Sequence, residues 1–348
     1  MERAAHGAGG CGFFKPLGLR RTGRWDKSGS IVNDLERKRH PWHTMAMTAA
    51  GIPDQGHRVA LAVGALVLGA IAMGASVLFV RWADVGPYAS AFWRVFLALP
   101  FLWLWMRLEA RSGAARPPID SAVILAGLFF TGDLFFWHLA ILGTTVANAT
   151  FLATTAPIWV ALGAWLLLSE QIGARTLTGL AFCIMGGFAL VGESYSLVPQ
   201  RLMGDLYGLA TAVFFGAYIL AVRTGRTRHG AAALMFWSTA ITSACLFAIA
   251  FVFEPRILPQ SIAGAAALLA LALVSQVGGQ GLVAVALGTL PATFSALVIF
   301  LEAIAAASFG WLLLDEPLGL AQALGGVLIL FGIWIARPRA GERVEVGL

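Results

Sequence analysis

From residue 59 onward the chain is a succession of apolar runs parted by short polar turns. Ten such runs stand out, at 59–80, 87–106, 119–139, 145–168, 174–192, 204–222, 231–253, 262–286, 291–314 and 318–336. Each holds 19–25 residues, enough to cross a hydrocarbon core of about 30 Å as a helix. Helices are required, because backbone groups left unpaired in lipid are too costly. The expected fold is an all-α integral membrane protein of ten transmembrane helices.

The runs repeat. Trp165-Leu166-Leu167-Leu168-Ser169-Glu170 returns as Trp311-Leu312-Leu313-Leu314-Asp315-Glu316, an offset of 146. At the same offset Gly179 falls on Gly325 and Gly186 on Gly332. Gly74-Ala75 falls on Gly216-Ala217, Phe92-Trp93 on Phe236-Trp237 and Gly143-Thr144 on Gly288-Thr289, at offsets of 142 to 145. The chain therefore reads as two copies of one hydrophobic unit, 59–192 and 204–336, followed by a short tail 337–348. Five spans per copy is an odd number, so the second copy is expected upside down relative to the first. Transporters use such inverted repeats, with a site near the midplane between the halves.

Composition agrees. Hydrophobic residues make up 59% of the chain and charged residues 12%, against about 25% charged in an ordinary soluble protein. The net charge of +6 is not a nucleic-acid signal once it is located. Twenty of the 24 Lys/Arg residues fall in segments that share one side when the N-terminus is inside, and Arg81, Arg201 and Arg256 fall on the other. That asymmetry predicts both termini in the cytoplasm. Residues 1–57 carry nine Lys/Arg and no spanning stretch. They read as a disordered basic tail, and Met45 or Met47 would serve as an alternative start just before the first span. Cys11, Cys183 and Cys245 are far apart, which supports neither a disulfide framework nor a metal site.

Several motifs together resemble a known family. They are Ala91-Phe92-Trp93-Arg94, the run Val146-Ala147-Asn148-Ala149 through Ala156-Pro157, Phe300-Leu301-Glu302, and the paired Trp-Leu-Leu-Leu-x-Glu endings. Over 59–336 the chain resembles the EamA branch of the drug/metabolite transporter superfamily, which includes aromatic amino-acid and metabolite exporters. The resemblance implies two five-helix repeats and a small-molecule substrate. Members often carry proline directly after the span-nine glutamate; here that residue is Ala303, which removes the basis for a proline hinge beside Glu302.

Three strongly charged residues lie well inside spans: Arg94, Asp133 and Glu302. Each costs at least about 2.5 kcal/mol at a helix centre and needs a partner or a cavity. Arg94 and Asp133 share a depth of about 10 Å from the outer face. They read either as a buried pair fixing spans two and three, or with Arg94 facing a cavity to take a substrate carboxylate. Glu302 lies about 16 Å from the inner face with no obvious partner. It is a candidate for proton exchange or cation recognition, or else a protonated carboxyl bonded to a neighbouring helix. Span four presents Thr145, Asn148 and Thr155 on one stripe, with Thr150 and Thr154 beside it; the hydroxyls can bond their own helix, whereas the Asn148 amide has several groups to satisfy and is a candidate for contact with the substrate. Gln276 and Gln280 share a face of span eight, as a cavity wall or as interhelical bonds. Trp137 follows Asp133 on one face and suits an aromatic substrate or an interfacial anchor. His138 is expected at the outer interface, and Tyr218 is a weaker candidate. Glu170 and Glu316 each precede a helix start, where a carboxylate is favoured by free amides and the helix dipole.

The reading that unites these features is a secondary transporter, an exporter of a small organic metabolite such as an amino acid. It would work by alternating access with proton coupling open, as a monomer or homodimer among membrane lipids, without cofactor or metal. A lipid-linked-sugar flippase of the same superfamily is the alternative. An intramembrane enzyme is disfavoured, since there is neither an HExxH helix nor a second aspartate to pair with Asp133.

Overall fold

The computed structural model describes residues 55–111, 119–144, 149, 152–191, 201–314 and 319–337, all within the unit Pro53–Leu348. Among them every regular element is a helix. The first half holds α1 (Gln55–Gly74), α2 (Ser76–Trp82), α3 (Pro87–Phe96), α4 (Leu99–Arg111), α5 (Ser121–Gly143), α6 (Ala156–Leu167) and α7 (Ala174–Val191). The second holds α8 (Leu202–Gly225), α9 (Ala231–Phe253), α10 (Ile262–Ala270), a π-helical segment Leu271–Gln280 running into α11 (Gly281–Ala286), α12 (Ala292–Ile299), α13 (Leu301–Leu314) and α14 (Leu320–Ala336).

Seven of the resulting rods are long and apolar enough to cross a membrane: Gly56–Trp82, Pro87–Arg111, Ser121–Ala140, Leu202–Gly225, Ala231–Phe253, Ile262–Ala286 and Ala292–Leu313. Ala156–Leu167, Ala174–Leu190 and Leu320–Ala336 are shorter apolar helices. Their outward faces carry large apolar side chains, among them Leu167 at 75% and Leu320 at 78% exposure. Water would exclude a belt of this extent, whereas lipid solvates it.

Several rods are broken, and two of the breaks carry charge. α3 stops at Phe96 with Arg94 in its last turn. α13 starts at Leu301 with Glu302 in its first turn. A cation near a helix C-terminus and an anion near an N-terminus are both favoured by the aligned peptide dipoles. The absence of a proline hinge, expected from Ala303, does not leave the helix continuous at Phe300. No proline is present, yet Phe300 N–H bonds the Leu297 carbonyl at 3.2 Å and Ala303 N–H the Phe300 carbonyl at 3.1 Å, three-residue steps that close one tight turn between α12 and α13. The corresponding turn before α6 spans Thr154-Thr155 and is explained by Pro157 in its first turn.

The two copies are related by contacts that exchange under the sequence offset. A methyl group added at Gly74 would lie 2.7 Å from the Glu302 carbonyl oxygen and the Ala305 Cβ, and 3.0 Å from Ala306 N. At Gly216 the neighbours are the Ala156 carbonyl, the Trp159 Cβ and Val160 N, the same three positions less 146. The closing helices α7 and α14 cross in the same reciprocal way. A Cβ at Gly179 would sit 2.5 Å from the Gly332 carbonyl, one at Gly332 2.6 Å from the Gly179 carbonyl, and Gly186 and Gly325 repeat the exchange at 2.5 and 2.6 Å. Small residues here let two backbones touch, the usual route to tight helix packing in lipid.

Helix starts are closed by carboxylates from the other copy. Glu254 accepts the Tyr88 N–H at the start of α3 at 2.9 Å, and Glu109 accepts the Ala233 N–H at the start of α9 at 3.4 Å. Glu170 sits in the repeated corner, where Ser169 adopts φ 54°, and it also reaches across. It takes the Ala292 N–H at 3.0 Å, the Thr293 N–H at 3.4 Å and the Thr293 hydroxyl at 2.8 Å. The expected cap is therefore real but belongs to α12, not to the helix that follows Glu170 in sequence. Its partner by the offset, Glu316, lies outside the described residues.

Candidate functional site

A cavity of about 220 Å³ opens between the copies. Arg94 from α3, Asp133 and Trp137 from α5, Gln280 from the π segment and Glu302 from α13 all line it. Five residues singled out in the sequence thus come together, although up to 208 positions separate them. Phe130, Phe215, Phe300 and Pro157 supply much of the apolar wall. This mixture of a few polar groups on an apolar lining is what a small-molecule site requires.

Each charged group is placed by its neighbours. Arg94 Nε donates to Gln276 Oε1 at 3.2 Å, and its guanidinium lies 5.8 Å from the centre of the Phe130 ring, within cation–π range. Gln276 is fully buried and holds Thr239 Oγ1 from its amide nitrogen at 3.4 Å. It supports Arg94 from behind and is not among the cavity-lining residues. The expected Arg94–Asp133 ion pair does not form among the described residues, whose salt bridges within 4.0 Å lie elsewhere. Both Asp133 and Glu302 nevertheless lie within electrostatic reach of Arg94. The backbone of Glu302 is fixed by Gly74, whose missing side chain admits the Glu302 carbonyl.

The π segment explains the two glutamines. A π turn carries an extra residue and shifts the register of the side chains that follow, a feature common at functional sites. Gln276 turns to Arg94 and Gln280 to the cavity, where Gln280 Oε1 accepts the Tyr218 hydroxyl at 3.2 Å. Tyr218 is thereby placed behind the wall. It is 2% exposed, with its ring stacked on Phe130 at 4.7 Å.

Other candidates fall away from the cavity. Thr155 Oγ1 donates to the Leu152 carbonyl at 2.6 Å, a bond to its own chain segment. Asn148, with Thr145 and Thr150, lies outside the described residues. His138 is not a cavity-lining residue: it is 4% exposed, with Nδ1 2.5 Å from the Leu134 carbonyl and its ring against Tyr88. Sequence reasoning missed the aromatic wall of Phe130, Phe215 and Phe300, since phenylalanine in an apolar run carries no signal of its own. It also missed Glu109 and Glu254, which stand 145 residues apart and were legible as a repeated pair.

An apolar helical bundle built from two related copies, with charges gathered in an internal cavity, defines a membrane transporter. The chain belongs to the EamA-like transporter family, whose pattern matches residues 60–192 and 202–337. It is 27% identical over 251 residues to the pseudopaline exporter CntI of Pseudomonas aeruginosa, covering 72% of this chain and 86% of that protein. It is 24% identical over 265 residues to an uncharacterized transporter of Archaeoglobus fulgidus, covering 74% and 89%. A crystal structure of a protein 19% identical in sequence superposes with a TM-score of 0.68 over 79% of this chain and 96% of its own, a likeness of fold. The family and these relatives are transporters, not enzymes.

Proposed function

We propose that the protein is a secondary transporter that exports a small organic metabolite, such as an amino acid, across a bacterial inner membrane by alternating access. Its ten helices form two inverted five-helix repeats with both termini in the cytoplasm. Glu302 is the carboxylate through which protons couple to transport. The observation that carries this reading is the cavity itself: a cation, Arg94, and two carboxylates, Asp133 and Glu302, share one largely apolar space between the copies. Charges are kept inside lipid only where a cavity or pathway uses them. The relative that exports pseudopaline supports the outward direction.

The test is flux in proteoliposomes across a panel of amino acids, purines and sugars, with and without a pH gradient. Movement of a metabolite that bears a carboxylate and at least one ammonium group, lost in Arg94→Ala, is the expected result, and where that metabolite carries a net positive charge its response to the gradient is lost in Glu302→Gln. Movement of none of the panel by folded protein would refute the reading.

A further inference from the structure

The cavity holds an unequal set of charges. With all three groups ionised, Arg94, Asp133 and Glu302 sum to one net negative charge. Among the described residues none of the three is ion-paired within 4.0 Å, and the hydrogen bond of the Arg94 Nε goes to a neutral amide, that of Gln276. Among the described residues the other elements around the cavity line it with no compensating charge. From α5, His138 is turned to the Leu134 carbonyl and Tyr88. From α8, the Tyr218 hydroxyl is bonded to Gln280. The π segment contributes only amides. An uncompensated charge in a low-dielectric space is expensive, so the site favours states in which the carboxylate pair holds one proton or a bound solute brings one positive charge.

We propose that the net charge of the solute sets how many protons are exchanged for it. This rests on the transport reading above. A zwitterion places its ammonium at the carboxylates and its carboxylate at Arg94, and one proton stays on Asp133 or Glu302 throughout. A solute with one further ammonium group displaces that proton. The proton passes to water on the side where the solute enters, and another is taken up on the far side when the solute leaves. Both loaded sites are electroneutral, and the two solute classes differ by one proton per molecule.

The experiment uses the full chain in proteoliposomes with a trapped pH indicator and four probes. Phenylalanine and leucine are zwitterions; 4-aminomethylphenylalanine and lysine carry one extra positive charge. The expected proton-to-solute ratio is higher by one for the second pair, and an imposed membrane potential changes neither flux by more than about twofold. Asp133→Asn and Glu302→Gln, checked for folding by size exclusion, each erase the difference in ratio. Equal ratios for the two classes, or a strongly potential-driven flux of the cations, would overturn this inference and leave the transport reading intact. Immobility of all four probes would overturn this inference, whereas the transport reading falls only when the purines and sugars of the panel stay put as well.

Discussion

Glu302 occupies the station of Ala156 in the other copy: Gly74 packs on the carbonyl of the first as Gly216 packs on that of the second. Both residues open a helix after a break, and both line the same cavity. The scaffold is duplicated and the carboxylate is not. Moving the charge tests how far the equivalence goes. Glu302→Ala is expected to abolish the pH-gradient-driven part of the flux, and Ala156→Glu added to it to restore at least about a tenth. A folded double variant with no gradient response would show that the station alone does not confer coupling.

Gly74 has no room for a side chain, with the Glu302 carbonyl 2.7 Å from where its Cβ would be. Gly74→Ala is expected to cost about 1–3 kcal/mol, the usual penalty of overpacking. A lower melting midpoint in detergent, together with impaired flux, is the outcome sought. Gly64, with open space around it, supplies the control: Gly64→Ala should melt no earlier than wild type.

Gln276 holds Arg94 without adding charge. Gln276→Leu should release the guanidinium toward the two cavity carboxylates. Substrate affinity is expected to fall about tenfold, which corresponds to about 1.4 kcal/mol, with the folded fraction unchanged. Titration of binding in detergent decides it, and an unaltered Kd would dismiss the supporting role.

Glu170 joins the repeated corner of one copy to the first turn of α12 in the other. Its Oε1 also lies 3.9 Å from Arg223 Nε. Glu170→Ala removes the cap, which is worth about 0.5–2 kcal/mol, whereas Glu170→Gln keeps an acceptor and loses only the charge. The melting order should be wild type, then Glu170→Gln, then Glu170→Ala. Equal midpoints for all three would refute the cross-copy cap.

Asp120 caps α5 through the Val123 N–H at 3.2 Å and faces Arg228 at 2.9 Å and His229 at 3.2 Å. Partial burial is the largest single influence on this carboxyl and pushes its pKa upward. The Val123 hydrogen bond, His229 and Arg228 together outweigh it and hold the group below its ordinary value of 3.8. A depressed carboxylate stabilises the fold fully above its unfolded pKa, about 3.9, and loses that contribution as pH falls through the lower folded value. Asp120→Asn keeps a capping side chain and removes the charge. Melting curves between pH 3 and pH 7 should separate wild type from variant near neutrality and converge as the acid end is reached. A constant gap across the range would count against the linkage.

Much of this arrangement was legible in the residues. Arg94, Asp133 and Glu302 announced themselves as ionisable groups in apolar runs, and the structure gathers all three. The glycines at 179, 186, 325 and 332 revealed the duplication, and their contacts exchange as the offset requires. The order of support was not legible. Depth alone paired Arg94 with Asp133, but depth says nothing of azimuth, and the π segment rotates Gln276 into the place a carboxylate was expected to fill. The break before Glu302 was hidden because proline is a sufficient cause of a broken helix and not a necessary one.

The crossing of α7 and α14 has a mechanical meaning. Backbones already in contact at Gly179–Gly332 and Gly186–Gly325 cannot be pressed closer, and sliding them by a residue would drive side chains such as Ile329 and Cys183 into the partner backbone. Separation would open a void with nothing to fill it. The displacement that such a joint tolerates best is a turn about the crossing point, so the pair resists compression, sliding and separation more than it resists rotation.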